Sequence, residues 1–133
     1  MYLTSQSVFR RAIVAFAFTL ASVSVHAAGA QPYDAKAFQA AQAAGGPVLV
    51  EFFASWCPVC KEQGELIDKI SADPKFSSIT RFKVDVDAQK AVLKTFHVKS
   101  RGTLILYKGN KEVARNVFET DEAPLRAMFG KAS

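Results

Sequence analysis

Apolar positions recur with two different periods along this chain, and together these periods predict four strands and four helices. A nearly continuous apolar run at 48–53 is typical of a strand buried on both faces. Apolar residues three and four positions apart indicate helices that each bury one face. The predicted elements, in chain order, are a helix over 34–44, a strand over 48–53, a helix over 58–70, a strand over 79–86, a helix that begins at Asp87 as its cap, a hairpin of strands 103–107 and 112–118, and a final helix that begins near Thr120 or Asp121.

The order of these elements defines the fold class. Two strands joined through a helix form a parallel pair, whereas the hairpin across Gly109-Asn110 adds antiparallel strands. The chain has 133 residues, which is enough for one domain with one modest hydrophobic core. We therefore expect a single α/β domain with a mixed four-stranded sheet that is flanked by helices.

The N-terminal segment has the composition of a secretory signal peptide. Arg10 and Arg11 precede an apolar stretch over 12–21, and Val25-His26-Ala27 supplies the small residues that signal peptidase requires. The apolar stretch is shorter than the roughly 20 residues that a membrane-spanning helix needs. Cleavage is expected after Ala27 or Ala28, and an uncleaved membrane anchor is the alternative.

A signal peptide over 1–27 would leave a mature domain over 28–133 and direct it to an oxidising compartment, such as a bacterial periplasm. The net charge is +5, and it falls to +3 on cleavage because Arg10 and Arg11 are the only charged residues of that segment. The remaining lysines and arginines are scattered along the chain. This small, dispersed surplus does not favour a nucleic-acid partner.

Only two cysteines occur in the chain, and they lie three positions apart in Trp56-Cys57-Pro58-Val59-Cys60. A strand precedes this segment and a helix follows it, so Cys57 falls at a helix N-terminus. Unpaired N–H groups and the helix dipole favour a thiolate there, and proline is tolerated in the first turn. We therefore expect Cys57, as the N-terminal and more exposed thiol, to be the nucleophile and Cys60 to be the resolving thiol. This dithiol carries two electrons without a metal or an organic cofactor.

Three other interpretations of the cysteine pair are less favoured. A structural zinc site needs two further Cys or His ligands, and only His97 remains after loss of segment 1–27. Covalent haem attachment requires a histidine directly after the second cysteine, where Lys61 stands. A purely structural disulfide across so short a loop would restrict the unfolded chain little.

Segment 52–61, FFASWCPVCK, resembles the active-site segment of the thioredoxin superfamily. The resemblance continues through 96–104 to the turn at Gly109-Asn110, and it covers roughly 34–130. It implies a thioredoxin fold and a thiol:disulfide oxidoreductase. Its expected partners are protein thiols or disulfides, or a membrane redox protein, and the expected state is a monomer with no membrane span after signal removal.

The resemblance also assigns a role to Glu51, which stands six residues before Cys57, where thioredoxins carry a buried acid. Its implied role is to accept the proton of Cys60 during resolution, and burial should raise its pKa. Lys83 stands where the family places a lysine, so a Glu51–Lys83 pair is expected. The alternatives are a glutamate turned to solvent at the sheet end and an ordinary surface lysine.

The resemblance also implies that further residues bind the substrate or tune the reactivity of Cys57. Trp56 and Pro58 flank the nucleophile, and the loop with Lys99 and Arg101 faces it in the family fold, so these cations would stabilise the thiolate. Thr103 would open the hairpin strand. The alternatives are a core aromatic for Trp56 and solvated surface charges for Lys99 and Arg101.

Gly102 departs from the family pattern, because thioredoxins carry a cis-proline immediately before the threonine at 103. A cis bond without proline costs about 2.5–4 kcal/mol, so Arg101–Gly102 is expected to be trans, with Gly102 at φ values closed to other residues. We expect this glycine to loosen the loop, to weaken client binding and to open the approach to Cys57. Gly102→Pro is then expected to raise affinity for clients.

The sequence leaves two classes of function open. The favoured one is a thiol:disulfide oxidoreductase that acts as a reductase, an oxidase or an isomerase. The alternative is a thioredoxin-fold binding module or chaperone, in which the cysteines have a minor or structural role.

Overall fold

A computed structural model describes residues 29–133 of the chain. The predicted signal peptide over 1–27 lies outside the described residues. The described elements, in chain order, are β1 (Gln31–Pro32), α1 (Ala35–Ala43), β2 (Pro47–Phe53), α2 (Pro58–Ser71), β3 (Thr80–Asp85), α3 (Lys90–Thr95), β4 (Thr103–Lys108), β5 (Lys111–Val117) and α4 (Glu122–Gly130).

All eight predicted elements are present, and two details differ. Strand β1 was not predicted, because two residues are too short to show a period. Helix α3 begins at Lys90 and not at Asp87. The carboxylate of Asp85 accepts hydrogen bonds from the N–H groups of Asp87 and Ala88, so these residues form a turn before the helix.

The five strands form one mixed sheet in the order β1-β3-β2-β4-β5. Strand β3 runs parallel to both β1 and β2, while β4 is antiparallel to β2 and β5. The mixed α/β fold is therefore confirmed, with β1 added at one edge. Strand β2 lies at the centre, and its C-terminal end leads directly into the cysteine segment.

Alternate residues of β2 point to opposite faces of the sheet. Val48, Val50 and Phe52 pack on the side of α1 and α3, where five rings cluster with centroids 5.2–6.4 Å apart. We call this side the aromatic face; its rings are Tyr33, Phe38, Phe82, Phe96 and Tyr107.

The opposite side is covered by α2 and α4, where Leu49 packs against Ile67 and Leu125. Glu51 follows Leu49 on this side, and Arg81 of β3 pairs with it. We call this side the acid face. Within residues 29–133, Glu51 and Arg81 are the only buried charged side chains.

Among the residues from 29 onwards, no helix combines the length and the apolar character that crossing a bilayer requires.

Candidate active site

Cys57 and Cys60 form a disulfide at the N-terminus of α2, with their Cα atoms 5.3 Å apart. Cys57 caps the helix: the backbone N–H of Cys60 donates to Cys57 Sγ at 3.2 Å, and Pro58 is the first helical residue. The proline has no N–H to leave unpaired. A donor aimed at Cys57 Sγ, together with the positive end of the helix dipole, stabilises negative charge on this sulfur once the disulfide is reduced.

The expected difference in exposure between the two cysteines is wrong for the oxidised form. Cys57 is 3% exposed and Cys60 is 8% exposed, and both pack in a small cluster with Ala54, Phe53 and Val86. The distinction between the two sulfurs therefore rests on helix capping and not on solvent access.

A cavity of about 320 Å³ lies between β2 and the first turns of α2. Both cysteines line it, together with Glu51, Asp68 and Lys83. The cavity therefore joins the redox-active sulfurs to the buried acid.

Glu51 is buried, with 4% of its surface exposed, so the alternative of a glutamate turned to solvent is wrong. Burial raises the pKa of this carboxyl above its usual value, while the hydrogen bond and charge of Arg81 and the charge of Lys83 oppose the rise. The raised pKa confirms the expectation from the sequence. A carboxylate with a raised pKa is a better proton acceptor near neutral pH.

The ion-pair partner of Glu51 is Arg81 and not Lys83, which corrects the expectation from the family pattern. Arg81 Nε lies 2.7 Å from Glu51 Oε1, and both side chains are buried. Lys83 stands opposite Glu51 in the strand register, but its Nζ lies over the Phe53 ring, 5.5 Å from the centroid. Arg81 is two residues earlier on the same face of β3, and its longer side chain reaches the carboxylate. The alternation of β3 was the available signal, since it places both cations on one face.

Trp56 lies on the surface beside the disulfide and is 60% exposed, so the alternative of a core aromatic is wrong. Its indole Nε1 donates a hydrogen bond to Asp87 Oδ2 at 2.8 Å. The guanidinium of Arg101 stacks over its ring at 4.4 Å. Asp87, expected from the sequence only as a helix cap, thus orients the residue next to the nucleophile.

The loop before β4 brings Arg101 to the site and leaves Lys99 exposed. The guanidinium of Arg101 contacts two rings: its Cζ lies 4.4 Å from the centroid of Trp56 and 5.7 Å from the centroid of Phe118. A cation stacked on exposed aromatic rings is held in place beside the cysteine segment. Phe118 was not recognised from the sequence, and no local signal marks it.

The Arg101–Gly102 bond is trans and Gly102 has φ +73°, as expected. The expected loose loop, however, is wrong. The N–H of Gly102 donates to Phe52 O at 2.7 Å, and its carbonyl accepts from the N–H of Phe118 at 2.8 Å and from Gln63 Nε2 at 3.2 Å. Each polar group of the glycine backbone is therefore bonded, and the loop is fixed to both β2 and α2.

The expected open approach to Cys57 is also absent in the oxidised form, since Cys57 is buried. Phe118 packs over Gly102. A Cβ at position 102 would lie 2.6 Å from Cε1 of Phe118, inside the contact distance. Thr103 then begins β4 as expected, and its hydroxyl donates to Ser100 O at 2.7 Å. These contacts hold the loop in one position at the start of β4.

A dithiol at a helix N-terminus, at the end of a central strand and above a buried acid, is the arrangement of a thiol:disulfide exchange centre. Comparisons with known proteins agree. A family model described as Thioredoxin matches residues 30–130. The chain belongs to the thioredoxin family, and it is a thiol:disulfide oxidoreductase.

Individual relatives support this assignment. The chain is 39% identical over 88 residues to a thioredoxin of Chlamydia muridarum, covering 66% of this chain and 84% of that protein. It is 40% identical over 85 residues to Thioredoxin-2 of Saccharomyces cerevisiae, covering 63% and 80%. The crystal structure of Trxlp from Edwardsiella tarda EIB202 superposes with a TM-score of 0.74 at 42% identity, over 76% of this chain and 98% of that one.

Proposed function

We propose that this protein is an exported disulfide oxidoreductase in which Cys57 attacks client disulfides and Cys60 resolves the mixed disulfide. One observation carries the division of roles: Cys57 Sγ caps α2 and accepts the N–H of Cys60 at 3.2 Å. Cys60 lies one turn inside the helix and has no such donor aimed at its sulfur among the described residues. The thiolate is therefore favoured on Cys57.

The first step joins the enzyme to its client. The Cys57 thiolate attacks one sulfur of a client disulfide and forms a mixed disulfide. The other client sulfur leaves as a thiolate and takes a proton from solvent. Arg101 stacks on Trp56, the residue before Cys57, so the Arg101–Gly102 loop is the backbone against which an extended client segment would dock.

The second step releases the client. Glu51 accepts the proton of the Cys60 thiol across the shared cavity, and the resulting Cys60 thiolate attacks Cys57 Sγ. The second client sulfur leaves as a thiolate, and a Cys57–Cys60 disulfide remains. Two electrons have then moved from the enzyme to the client, and the reverse sequence oxidises a client dithiol.

The direction of electron flow depends on how strongly the Cys57 thiolate is stabilised. A couple like that of thioredoxin has a potential near about −270 mV, and a strong oxidant such as an oxidase has one near about −120 mV. Equilibration with glutathione buffers measures this potential. A value near the first supports a reductase that depends on a reducing partner, whereas a value near the second supports an oxidase.

Export and partners are part of the same proposal. Segment 1–27 would be removed as a signal peptide, and the mature monomer would exchange electrons with protein thiols or with a membrane redox protein. The mass of the protein recovered from the periplasm of an expressing bacterium tests the first point. A mass equal to that of a chain beginning at Ala28 or Gly29 supports cleavage, while the mass of the full-length chain supports an uncleaved anchor.

Insulin-disulfide reduction tests the catalytic assignment. The wild type should turn over insulin, and Cys57→Ser should lose turnover completely. Cys60→Ser should instead accumulate a mixed disulfide between Cys57 and its client, which mass spectrometry detects. A mixed disulfide that forms on Cys60 in the Cys57→Ser variant as fast as it forms on Cys57 in Cys60→Ser would contradict this division of roles.

A binding module is the second candidate, and one observation favours it. Trp56, Val59, Val117 and Phe118 are large apolar residues that remain exposed on the described domain. Such residues can hold an unfolded client without redox exchange. Equal suppression of client aggregation by the wild type and by a variant with both cysteines replaced by serine would favour this candidate.

A further inference from the structure

An arginine is buried in the acid face, where the family pattern gives no reason for one. Arg81 is 2% exposed, and its strand neighbours Phe82 and Val84 are apolar and pack on the opposite face. Charged side chains are almost never buried unless they are paired, because removing a charge from water is costly. The contacts of Arg81 therefore identify the groups that compensate for the burial of its charge.

Arg81 bridges two carboxylates. Its Nε lies 2.7 Å from Glu51 Oε1, and its Nη1 lies 2.8 Å from Asp68 Oδ1 on α2. The Asp68 side chain is 65% exposed, whereas Glu51 is buried. Water and salt therefore screen the Arg81–Glu51 contact less than they screen the Arg81–Asp68 contact.

The contact engages only one oxygen of Glu51. Arg81 Nε holds Oε1, and among residues 29–133 no hydrogen bond to Oε2 is formed. Glu51 and Cys60 line the same cavity, and Oε2 is the carboxylate oxygen that Arg81 leaves without a hydrogen bond. Both partners stand on paired strands, so their positions do not depend on a flexible loop.

We propose that Arg81 is a positioning residue for disulfide resolution: it holds Glu51 through their buried ion pair and orients its carboxylate, so that Oε2 can take the proton of Cys60. This inference rests on the proposed role of Glu51. Other charged groups also face this carboxylate: Lys83 from β3, and Asp68, Glu65 and Lys61 from α2. Arg81 alone among the cations donates a hydrogen bond to it, and its charge and hydrogen bond oppose the rise in the pKa of Glu51 that burial causes.

The proposal can be tested with the reduced protein and 5,5′-dithiobis(2-nitrobenzoate). Cys57 attacks this disulfide and releases one thionitrobenzoate in a first phase. Cys60 then attacks the mixed disulfide, gives up its proton and releases a second thionitrobenzoate. Stopped-flow absorbance separates the two phases, and the pH dependence of the second phase reports the proton acceptor.

Arg81→Met should move the pH midpoint of the second phase upward by about 1–3 units, because an opposite charge in contact lowers a carboxyl pKa by about that amount. The first phase should keep its rate. Lys83→Met is the matched control on the same face of β3, and it should give a smaller shift. In a Glu51→Gln background, Arg81→Met should cause no further shift, since the group on which it acts is gone.

A second-phase pH profile of Arg81→Met that coincides with the wild type would overturn the proposal, as would an equal shift in Lys83→Met. Asp68→Asn tests whether Arg81 only tethers α2 to the sheet. A shift in Asp68→Asn as large as in Arg81→Met would favour the tether. If Arg81→Met does not fold, Arg81→Lys decides the question: a slower second phase with an unchanged first phase supports the proposal, and two unchanged rates overturn it.

The proposed function and this inference fail in different ways. If the wild type shows neither phase, or if a variant that lacks Cys60 still shows the second phase, the proposed function itself is wrong. If the wild type shows both phases and the pH profile of the second phase does not change in Arg81→Met, only the inference about Arg81 is wrong.

Discussion

The two faces of the sheet use the same strands for different purposes. On the aromatic face, five rings pack edge to face around Phe38 and Phe96. On the acid face, Glu51 and Arg81 form a buried ion pair, and Glu51 lines the same cavity as the disulfide. Side chains alternate along a strand, so the neighbouring residues Val50 and Glu51 point to opposite faces of the sheet. Val50 packs in the hydrophobic core, whereas Glu51 carries a charge.

This difference indicates how the fold accommodates buried charge. Taking two ions out of water costs several kcal/mol each before their mutual attraction is counted, so such a pair contributes little or nothing to net stability. Burial of aromatic and aliphatic surface must supply the stability instead. We therefore expect substitutions on the aromatic face to change stability alone, and substitutions on the acid face to change the chemistry as well as the stability.

The largest expected effect is on the aromatic face. Phe38→Ala removes a ring that contacts four other rings, and it should lower the free energy of unfolding by about 3–5 kcal/mol. Denaturant unfolding of the oxidised protein measures this loss. The pH midpoint of the resolution phase should not move. A loss below about 1 kcal/mol would show that the aromatic cluster is not the main source of stability.

Substitutions at Gly102 should have the next largest effect. From the sequence, Gly102→Pro is expected to raise affinity for clients. From the structure, we expect it to destabilise the folded protein, because proline requires φ near −65° and cannot donate a hydrogen bond to Phe52 O. We expect a loss of more than about 1 kcal/mol in unfolding free energy and slower turnover of insulin. Unchanged stability with faster turnover would mean that the loop adopts another conformation in solution.

Gly102→Ala separates the two constraints at this position. It should cost about 1–3 kcal/mol, from the left-handed backbone and from overlap with Phe118. In a Phe118→Ala background the overlap is relieved, so the same substitution should cost less. Val117→Ala, which changes the exposed neighbouring residue, is the control and should not alter the cost. Strict additivity of Gly102→Ala and Phe118→Ala would argue that the two residues do not touch.

Glu51→Gln should change the pH dependence of stability. Folding raises the pKa of Glu51, so the folded state binds more protons than the unfolded state above the ordinary glutamate pKa. Stability from this group is therefore present at low pH and is lost as pH rises towards the folded pKa. The wild type should lose stability relative to Glu51→Gln over this range, by about 1.4 kcal/mol for each unit between the two pKa values. Unfolding curves from acid to neutral pH test this, and a difference that grows in favour of the wild type would mean that folding lowers the pKa.

The smallest expected effect concerns Asp87. Asp87→Ala removes an exposed hydrogen bond to Trp56, so it should change the unfolding free energy by less than about 1 kcal/mol. Trp56 is the only tryptophan in the chain, and its fluorescence should report the loss directly. Asp34→Ala, which removes a helix-capping carboxylate that has no contact with Trp56, is the control and should leave the emission unchanged. An emission spectrum that is unaltered in Asp87→Ala would contradict the role given to this residue.

Most of the fold could be predicted from local patterns, because each element of five or more residues has its own period of apolar positions. The helix N-terminus at Cys57 followed from the strand, the cysteine pair and Pro58 together. The positive φ of Gly102 followed from the absence of proline. Each of these features depends on neighbours along the chain.

The remaining site contacts join residues that are distant in sequence. Trp56 and Asp87 are 31 positions apart, and Glu51 and Arg81 are 30 apart. The alternation of β3 places Arg81 and Lys83 on one face, but the choice between them depends on side-chain reach and on the position of α2. The packing of Phe118 over Gly102 depends likewise on the register of β4 and β5.

The most direct test of the account compares the two thionitrobenzoate phases in the wild type and in Glu51→Gln. If Glu51 takes the proton of Cys60, the first phase should keep its rate within about twofold, and the second phase at neutral pH should slow by about 10²-fold or more. Equal slowing of both phases, or no slowing of either, would contradict the claim that the acid face supplies the proton acceptor for disulfide exchange.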